Sequence, residues 1–331
     1  MDSQWRRLAP VVALLLFAPI IAEVLYGATR LSTIFVLVPE VGAWGCGALM
    51  IRYAARRWRL EWPGMLLLGL ALAVAEECII QQTSLAPLTG LAKAEYGRLW
   101  GVNWVYFVWA SGYEAVWVVL VPIQLVDLMF PTRREEPWIG RGGFARAAIF
   151  FTVAAFLAWY MWTQRARTMM FHMPPYHPPA ASLAVATGVI LLLVVAAYRL
   201  RGRRTAPQGS TPGPAAAGLA VCLLSIPWGA LVLVGYGATP QIPAGWTIAA
   251  SLLWATFSLF LMHRWSFTAG WQDRHRFAAV CGAIAGSMIG GYVMFAVGGA
   301  LPMDWIGKII FNVIAAVWLA RLRRRLTARG A

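Results

Sequence analysis

Charge is scarce in this 331-residue chain: only 12% of its residues are Asp, Glu, Lys or Arg, and only 13 of them are acidic. Soluble domains carry about 25% charged residues and are about half apolar. With 60% hydrophobic residues and a mean hydropathy of +0.65, this composition excludes an ordinary soluble fold. Cysteine is sparse too. Cys46, Cys78, Cys222 and Cys281 all fall in apolar runs and none forms a CxxC, which excludes a disulfide framework or a zinc knuckle. They read as small buried hydrophobes. There is no P-loop, dinucleotide fingerprint, haem attachment motif or nucleophile elbow. Short alternating strands, the mark of a membrane barrel, are missing as well.

What the chain does contain is ten apolar stretches, at 9–28, 32–52, 64–83, 103–127, 146–163, 180–198, 215–235, 245–263, 277–298 and 305–320. A spanning helix needs roughly 20 such residues. In lipid every backbone polar group must be satisfied within the segment, so each stretch is expected to be helical. The expected fold is an all-α polytopic transmembrane bundle of about ten spans. The N-terminus, MDSQWRR before a long apolar run with Pro19 and Glu23, reads as an uncleaved first span rather than a signal peptide.

The net charge of +15 would suit nucleic acid if it lay on a soluble face, but the arginines sit in short loops between apolar runs. With the N-terminus inside, 22 Lys and Arg fall inside and six outside: Arg30, Lys93, Arg98, Arg165, Arg167 and Lys308. The positive-inside rule then makes both termini cytoplasmic. The expected setting is the bacterial plasma (cell inner) membrane, with the lipid bilayer as partner and no nucleic acid.

Residues 1–200 hold six spans, 201–214 (RGRRTAPQGSTPGP) form a mobile cytoplasmic linker, and 215–331 hold four spans and a basic tail. Ten spans also divide as five plus five, the arrangement of inverted-repeat transporters, yet no motif recurs between such halves. The long outer loop from Thr83 to Asn103, with Lys93, Glu95 and Arg98, is placed to fold over the outer mouth of the first four spans. Trp and Tyr residues at span ends, such as Trp100, Trp104 and Trp305, read as an interfacial belt. Gly282, Gly286, Gly290 and Gly291 form a small-residue face for close helix packing.

Five acids interrupt the apolar runs. At 1.5 Å per residue, Glu23 lies about 8 Å below the outer end of its span, Glu40 about 12 Å, Glu76 and Glu77 about 10 Å and Glu114 about 16 Å. A carboxylate in hydrocarbon costs at least about 2.5–3.5 kcal/mol on insertion scales, so each marks a functional-site hypothesis. Four consecutive helices with short connections are usually neighbours, which would bring the five to one cavity. Pro19, Pro39 and Pro122 lie close by and would bend their helices. Gln81 is i,i+4 to Glu77 and shares its face. Tyr26, Trp44, Trp109, Tyr113 and Trp117 lie near the acids along the helices and would suit a bound cation. The bland alternative is a structural network in which the acids pair with the outer cations. Asp127 reads as interfacial, and Asp304 with Lys308 as an i,i+4 helix pair.

The loop TMMFHMPPYHPP adds His172 and His177 beside Met169, Met170 and Met173. Soft ligands of this kind select copper(I), against the plainer reading of an interfacial Met/Pro loop. Folded over the acids, His172 or His177 would join Glu23 and Glu40 in a mixed divalent-metal site.

Glu76-Glu77 followed by Gln81 resembles the EExxxR motif of the CPBP group, the CAAX-processing and bacteriocin-processing intramembrane proteases, which are all-helical. The resemblance covers about one span of ten. It implies peptide hydrolysis with Glu76 or Glu77 as general base on a water. Gln81 stands where that family has arginine. Ala110 and Glu114 stand where its FxxxH motif would fall, so Glu114 would replace an imidazole as second acid or hard metal ligand. Gly112–Pro131, GYEAVWVVLVPIQLVDLMFP, is also similar to a widespread group of bacterial polytopic membrane proteins. Three readings stand: an intramembrane hydrolase of a peptide or lipid-linked substrate, using Glu76, Glu77, Glu114 and Gln81; a proton- or cation-coupled transporter of a small molecule; and a non-catalytic structural membrane protein. The Glu-Glu-x-x-x-Gln pattern tips the balance toward the first.

Overall fold

The computed structural model describes residues 3–87, 96–206 and 209–330. Ten helices in it are long and apolar enough to cross a membrane: α1 (Arg7–Val24), α2 (Leu31–Trp58), α3 (Trp62–Ile80), α4 (Trp104–Met129), α5 (Arg141–Met169), α6 (Ala180–Arg199), α7 (Pro214–Gly235), α8 (Ala244–Ser266), α9 (Asp273–Val297) and α10 (Pro302–Leu326). Each coincides with one of the ten apolar stretches. The chain is an integral membrane protein built as a helix bundle.

Helix α4 is the axis of the bundle. It packs against α1, α3, α7, α8 and α9, and it carries more buried residues along its length than any other span. The first two helices pack on each other, as do α2 and α5, and α3 and α6. Helices α5, α6, α8 and α10 leave most of their apolar surface open, as lipid-facing helices do. The most extensive helix pair is α7 with α9. A Cβ on Gly282 would stand 2.2 Å from the Gly218 carbonyl oxygen, and one on Gly286 would stand 2.6 Å from that of Cys222. The small-residue face therefore lets two backbones touch. Helices on both sides of the 201–214 stretch pack on α4, so the two parts share one core.

At the arginine-rich end, Asp127 is buried. Arg52 donates to its Oδ1 from Nε at 3.0 Å and Nη2 at 2.8 Å, and Arg56 binds Oδ2. Arg52 also donates to the carbonyls of Arg134 and Glu136, both at 2.9 Å, and lies 3.2 Å from the Trp138 ring centroid. The sequence reading missed this triad because its partners lie on different spans.

At the other end, Arg98–Leu99 pairs antiparallel with Val102–Asn103, with Arg98 opposite Asn103. The two loop residues, Trp100 (φ 52°) and Gly101 (φ 78°), are both left-handed, the geometry a two-residue hairpin needs. Asn103 caps α4 by accepting from the Tyr106 N–H at 3.0 Å and donates to the Gly235 carbonyl at 3.0 Å. Its own N–H donates to Ser84 O at 2.9 Å. The hairpin thus straps α3, α4 and α7 together. Lys93 and Glu95 lie outside the described residues.

Candidate functional site: a buried glutamate cluster

The four acid-bearing helices share a backbone feature, which α5 also shows over Tyr160–Ala166, where there is no acid. Each turns π-helical at its acid: Ile20–Val24 around Glu23, Val41–Gly45 directly after Glu40, Glu76–Ile80 on Glu76 and Glu77, and Glu114–Leu120 starting at Glu114. π-helical turns make up well under 1% of residues in globular proteins and gather at functional sites. The first two follow Pro19 and Pro39, which remove an N–H from the ladder. No proline precedes the other two.

Small residues seat these turns against each other. A Cβ on Gly45 would meet the Leu15 carbonyl oxygen at 2.4 Å, so α2 lies directly on α1. One on Gly69 would meet the Cα of Ala115 at 3.0 Å, so α3 lies on α4 beside Glu114.

The five carboxyls form one electrostatically connected cluster. Glu23 interacts with Glu40, Glu76 and Glu114; Glu76 also with Glu40, Glu77 and Glu114; and Glu77 with Glu114. Glu40, Glu76, Glu77 and Glu114 are 4%, 1%, 3% and 8% exposed, while Glu23 keeps more accessible surface. Glu77 Oε2 accepts from Ser84 Oγ at 2.6 Å, and Glu40 Oε1 accepts from Thr29 Oγ1. Glu77 and Glu114 lie within electrostatic reach of each other. Four oxygens are left over. Glu40 Oε2, both oxygens of Glu76 and Glu114 Oε2 are buried with no hydrogen-bond partner. Buried polar groups are almost always satisfied, so orphans of this kind call for an unseen proton, water or ion.

Among the described residues, none of the five glutamates forms an ion pair. Four of the six outer cations, Arg30, Arg98, Arg167 and Lys308, bind backbone carbonyls. Arg30 donates to Gly298 O and lies over Phe295. Arg98 donates to the carbonyls of Leu85, Ala86 and Gly101, and Arg167 to those of Pro87 and Pro174. Lys308, 2% exposed, donates to Leu25 O at 3.0 Å and Tyr26 O at 2.8 Å. Asp304 accepts from the Ser32 N–H at 2.9 Å. Asp304 and Lys308 therefore hold different neighbours and do not pair. They pin both ends of the α1–α2 connection, where the N–H groups of Gly27, Ala28 and Thr29 wrap onto Glu23 O before Thr29 reaches Glu40.

Gln81 closes the π turn of α3, its N–H donating to Glu76 O at 2.8 Å. The neighbouring Gln82, left-handed at φ 60°, is the more enclosed: its Nε2 donates to Ile79 O at 3.1 Å and its Oε1 has no partner. Tyr106, Trp109, Tyr113 and Trp117 form a ladder along α4, with Trp109 to Tyr113 at 5.3 Å and Tyr113 to Trp117 at 5.0 Å between centroids. Two of their polar heads are held by backbone. Tyr113 donates to Ala22 O at 2.6 Å and Trp117 to Ala283 O at 2.9 Å. Tyr26 donates to Gly229 O at 2.7 Å. The indole N–H groups of Trp44 and Trp109 are buried and unpartnered.

Histidine stands apart. His172 and His177 are exposed, His263 packs on Trp62 and Phe267, and His275 accepts from the Gln272 N–H. Among the described residues no group of three or more His, Cys, Asp or Glu is arranged to hold a metal ion.

Sequence reasoning missed Thr29, Ser84 and Tyr236. Thr29 and Ser84 lie just beyond the spans, where hydroxyl residues are ordinary. Tyr236 follows α7, and its phenol interacts with that of Tyr106 and with Glu77, while burial pushes it up to about 12. Compared with family models, with curated proteins and with solved structures, the chain matches none.

Proposed function

We propose that this membrane protein is a proton-coupled transporter whose coupling site is the glutamate cluster. The observation that supports this is the excess of buried carboxyl oxygens over partners: five carboxyls, none of them in an ion pair among the described residues, and four orphan oxygens. Intramembrane acids mark substrate and ion pathways and proton relays. Protons would be held between Glu77 and Glu114 and on Glu76, and a conformational change would move the cluster between the two faces. The cytoplasmic placement of both termini, from the arginine distribution, belongs to the same reading.

The test is current in a supported membrane carrying the purified protein, with a proton gradient imposed and a panel of organic and inorganic solutes supplied. The expected result is a solute-dependent current that Glu77→Gln and Glu114→Gln abolish. Silence across the panel, or current indifferent to both substitutions, contradicts transport.

A second reading keeps one observation in its favour. The proximity of Glu77 and Glu114 also suits the general acid–base hydrolysis implied by the resemblance to CPBP proteases. Cleavage of lipid-linked or membrane peptides by the wild type, lost in Glu77→Gln, would favour it over transport.

A further inference from the structure

A small cavity lies beyond the cluster on the arginine-poor face. Its volume is ≈20 Å³, and its walls include Thr83, Trp162, Arg167 and Tyr236. About 10–15 Å³ is enough to hold one water. Thr83 is 4% exposed and its hydroxyl has no hydrogen-bond partner. A wider hollow of ≈220 Å³ adjoins it, with Pro87 as a shared wall. That hollow is bordered by Trp100, which is 84% exposed, and so opens at the surface.

From the small cavity inward the path is made of phenols. Tyr236 and Tyr106 meet edge to face at 5.4 Å between centroids, and their hydroxyls interact. The Tyr106 hydroxyl is within electrostatic reach of Glu77 and Glu114. The groups around Glu77 are Glu76, Glu114, Tyr106, Tyr236 and Cys78, with Arg167 in the cavity wall.

We infer that Tyr236 and Tyr106 form the proton entrance to the glutamate cluster, and that the species admitted from this face is the proton rather than a metal ion or an organic cation. A pair of packed phenols passes a proton by exchanging hydrogen bonds, which no hydrated ion can do. A proton from cavity water joins the Tyr236 oxygen as the Tyr236 hydroxyl proton passes to Tyr106. The Tyr106 hydroxyl proton then passes to a carboxylate of the Glu77–Glu114 pair. Each phenol ends with one proton, and the net change is one proton moved from water to carboxylate. The inference rests on the proposed coupling role of the cluster.

The test is a pH jump on the whole protein in lipid nanodiscs, followed by time-resolved infrared absorption of protonated carboxyls, with Tyr236→Phe and Tyr106→Phe beside the wild type. Both substitutions keep the ring and remove the hydroxyl. The expected result is protonation slowed about 100-fold, the low end of what a positioned proton-transfer group contributes, with an unchanged final carboxyl signal. Unchanged rates in both variants, with normal titration in the wild type, overturn the entrance alone. A wild type whose carboxyl signal never responds to pH overturns the coupling role on which it depends.

Discussion

Replacing Glu76 by Gln separates a working acid from a structural one. Glu76 is 1% exposed and neither oxygen has a partner. Its removal as an acid therefore breaks no ion pair and no hydrogen bond. The amide introduces two N–H donors into a region where Glu40 Oε2 and Glu114 Oε2 lack them. Satisfying one buried polar atom recovers about 1–3 kcal/mol, so Glu76→Gln should be neutral or stabilising by up to about that amount. Asp127→Asn is the internal control. It weakens a buried triad in which Arg52 and Arg56 both depend on one carboxylate, and breaking a buried pair typically costs about 3–5 kcal/mol. Reversible unfolding of both variants in mixed micelles, titrated with a denaturing detergent, reads the two effects side by side. A Glu76→Gln protein destabilised as strongly as Asp127→Asn would mean that Glu76 has a charged partner, and the uncompensated cluster would be refuted.

Two further outcomes follow from the packing. Gly291→Ala would drive a Cβ to 1.8 Å from the Tyr26 carbonyl oxygen and 2.8 Å from Lys308 Nζ; the α1 end must then shift, and both a lower unfolding midpoint and an altered Glu40 carboxyl infrared band are expected, whereas wild-type values for both would contradict the Lys308–Thr29–Glu40 connection. For pH, burial raises Tyr236 from its ordinary value near 10 to about 12, so the folded state holds this proton more tightly than the unfolded chain does. The associated stability is complete below pH 10 and is lost as pH rises toward 12; Tyr236→Phe should flatten the alkaline fall in a stability–pH profile, and an identical slope in both proteins would refute it.

The ten spans were legible because hydrocarbon thickness imposes a 20-residue window that the sequence obeys. The acids were legible for the converse reason, since a charge in such a window stands out. That they lie within electrostatic reach of one another follows from the packing of α1 on α2 and of α1 and α3 on α4. The satisfaction of the outer cations was not legible. Arg98, Arg167 and Lys308 bind backbone carbonyls, and carbonyls are the same at every position of a sequence. The four π turns left no trace either, apart from Pro19 and Pro39, because nothing in the residue pattern at Glu76 or Glu114 distinguishes five residues per bonded turn from four. The buried Arg52–Asp127–Arg56 triad did have a signal: two arginines one turn apart at the end of α2, and a lone aspartate at the same depth in α4.

The most direct measurement is an infrared pH titration of the purified protein in nanodiscs, comparing the carboxyl bands of the wild type with those of the five single Glu→Gln variants. A connected cluster predicts that each substitution alters bands belonging to the remaining glutamates, with Glu114→Gln shifting the Glu77 band most. Five bands that disappear one by one and leave the others unmoved would show five independent acids, and the account would be wrong.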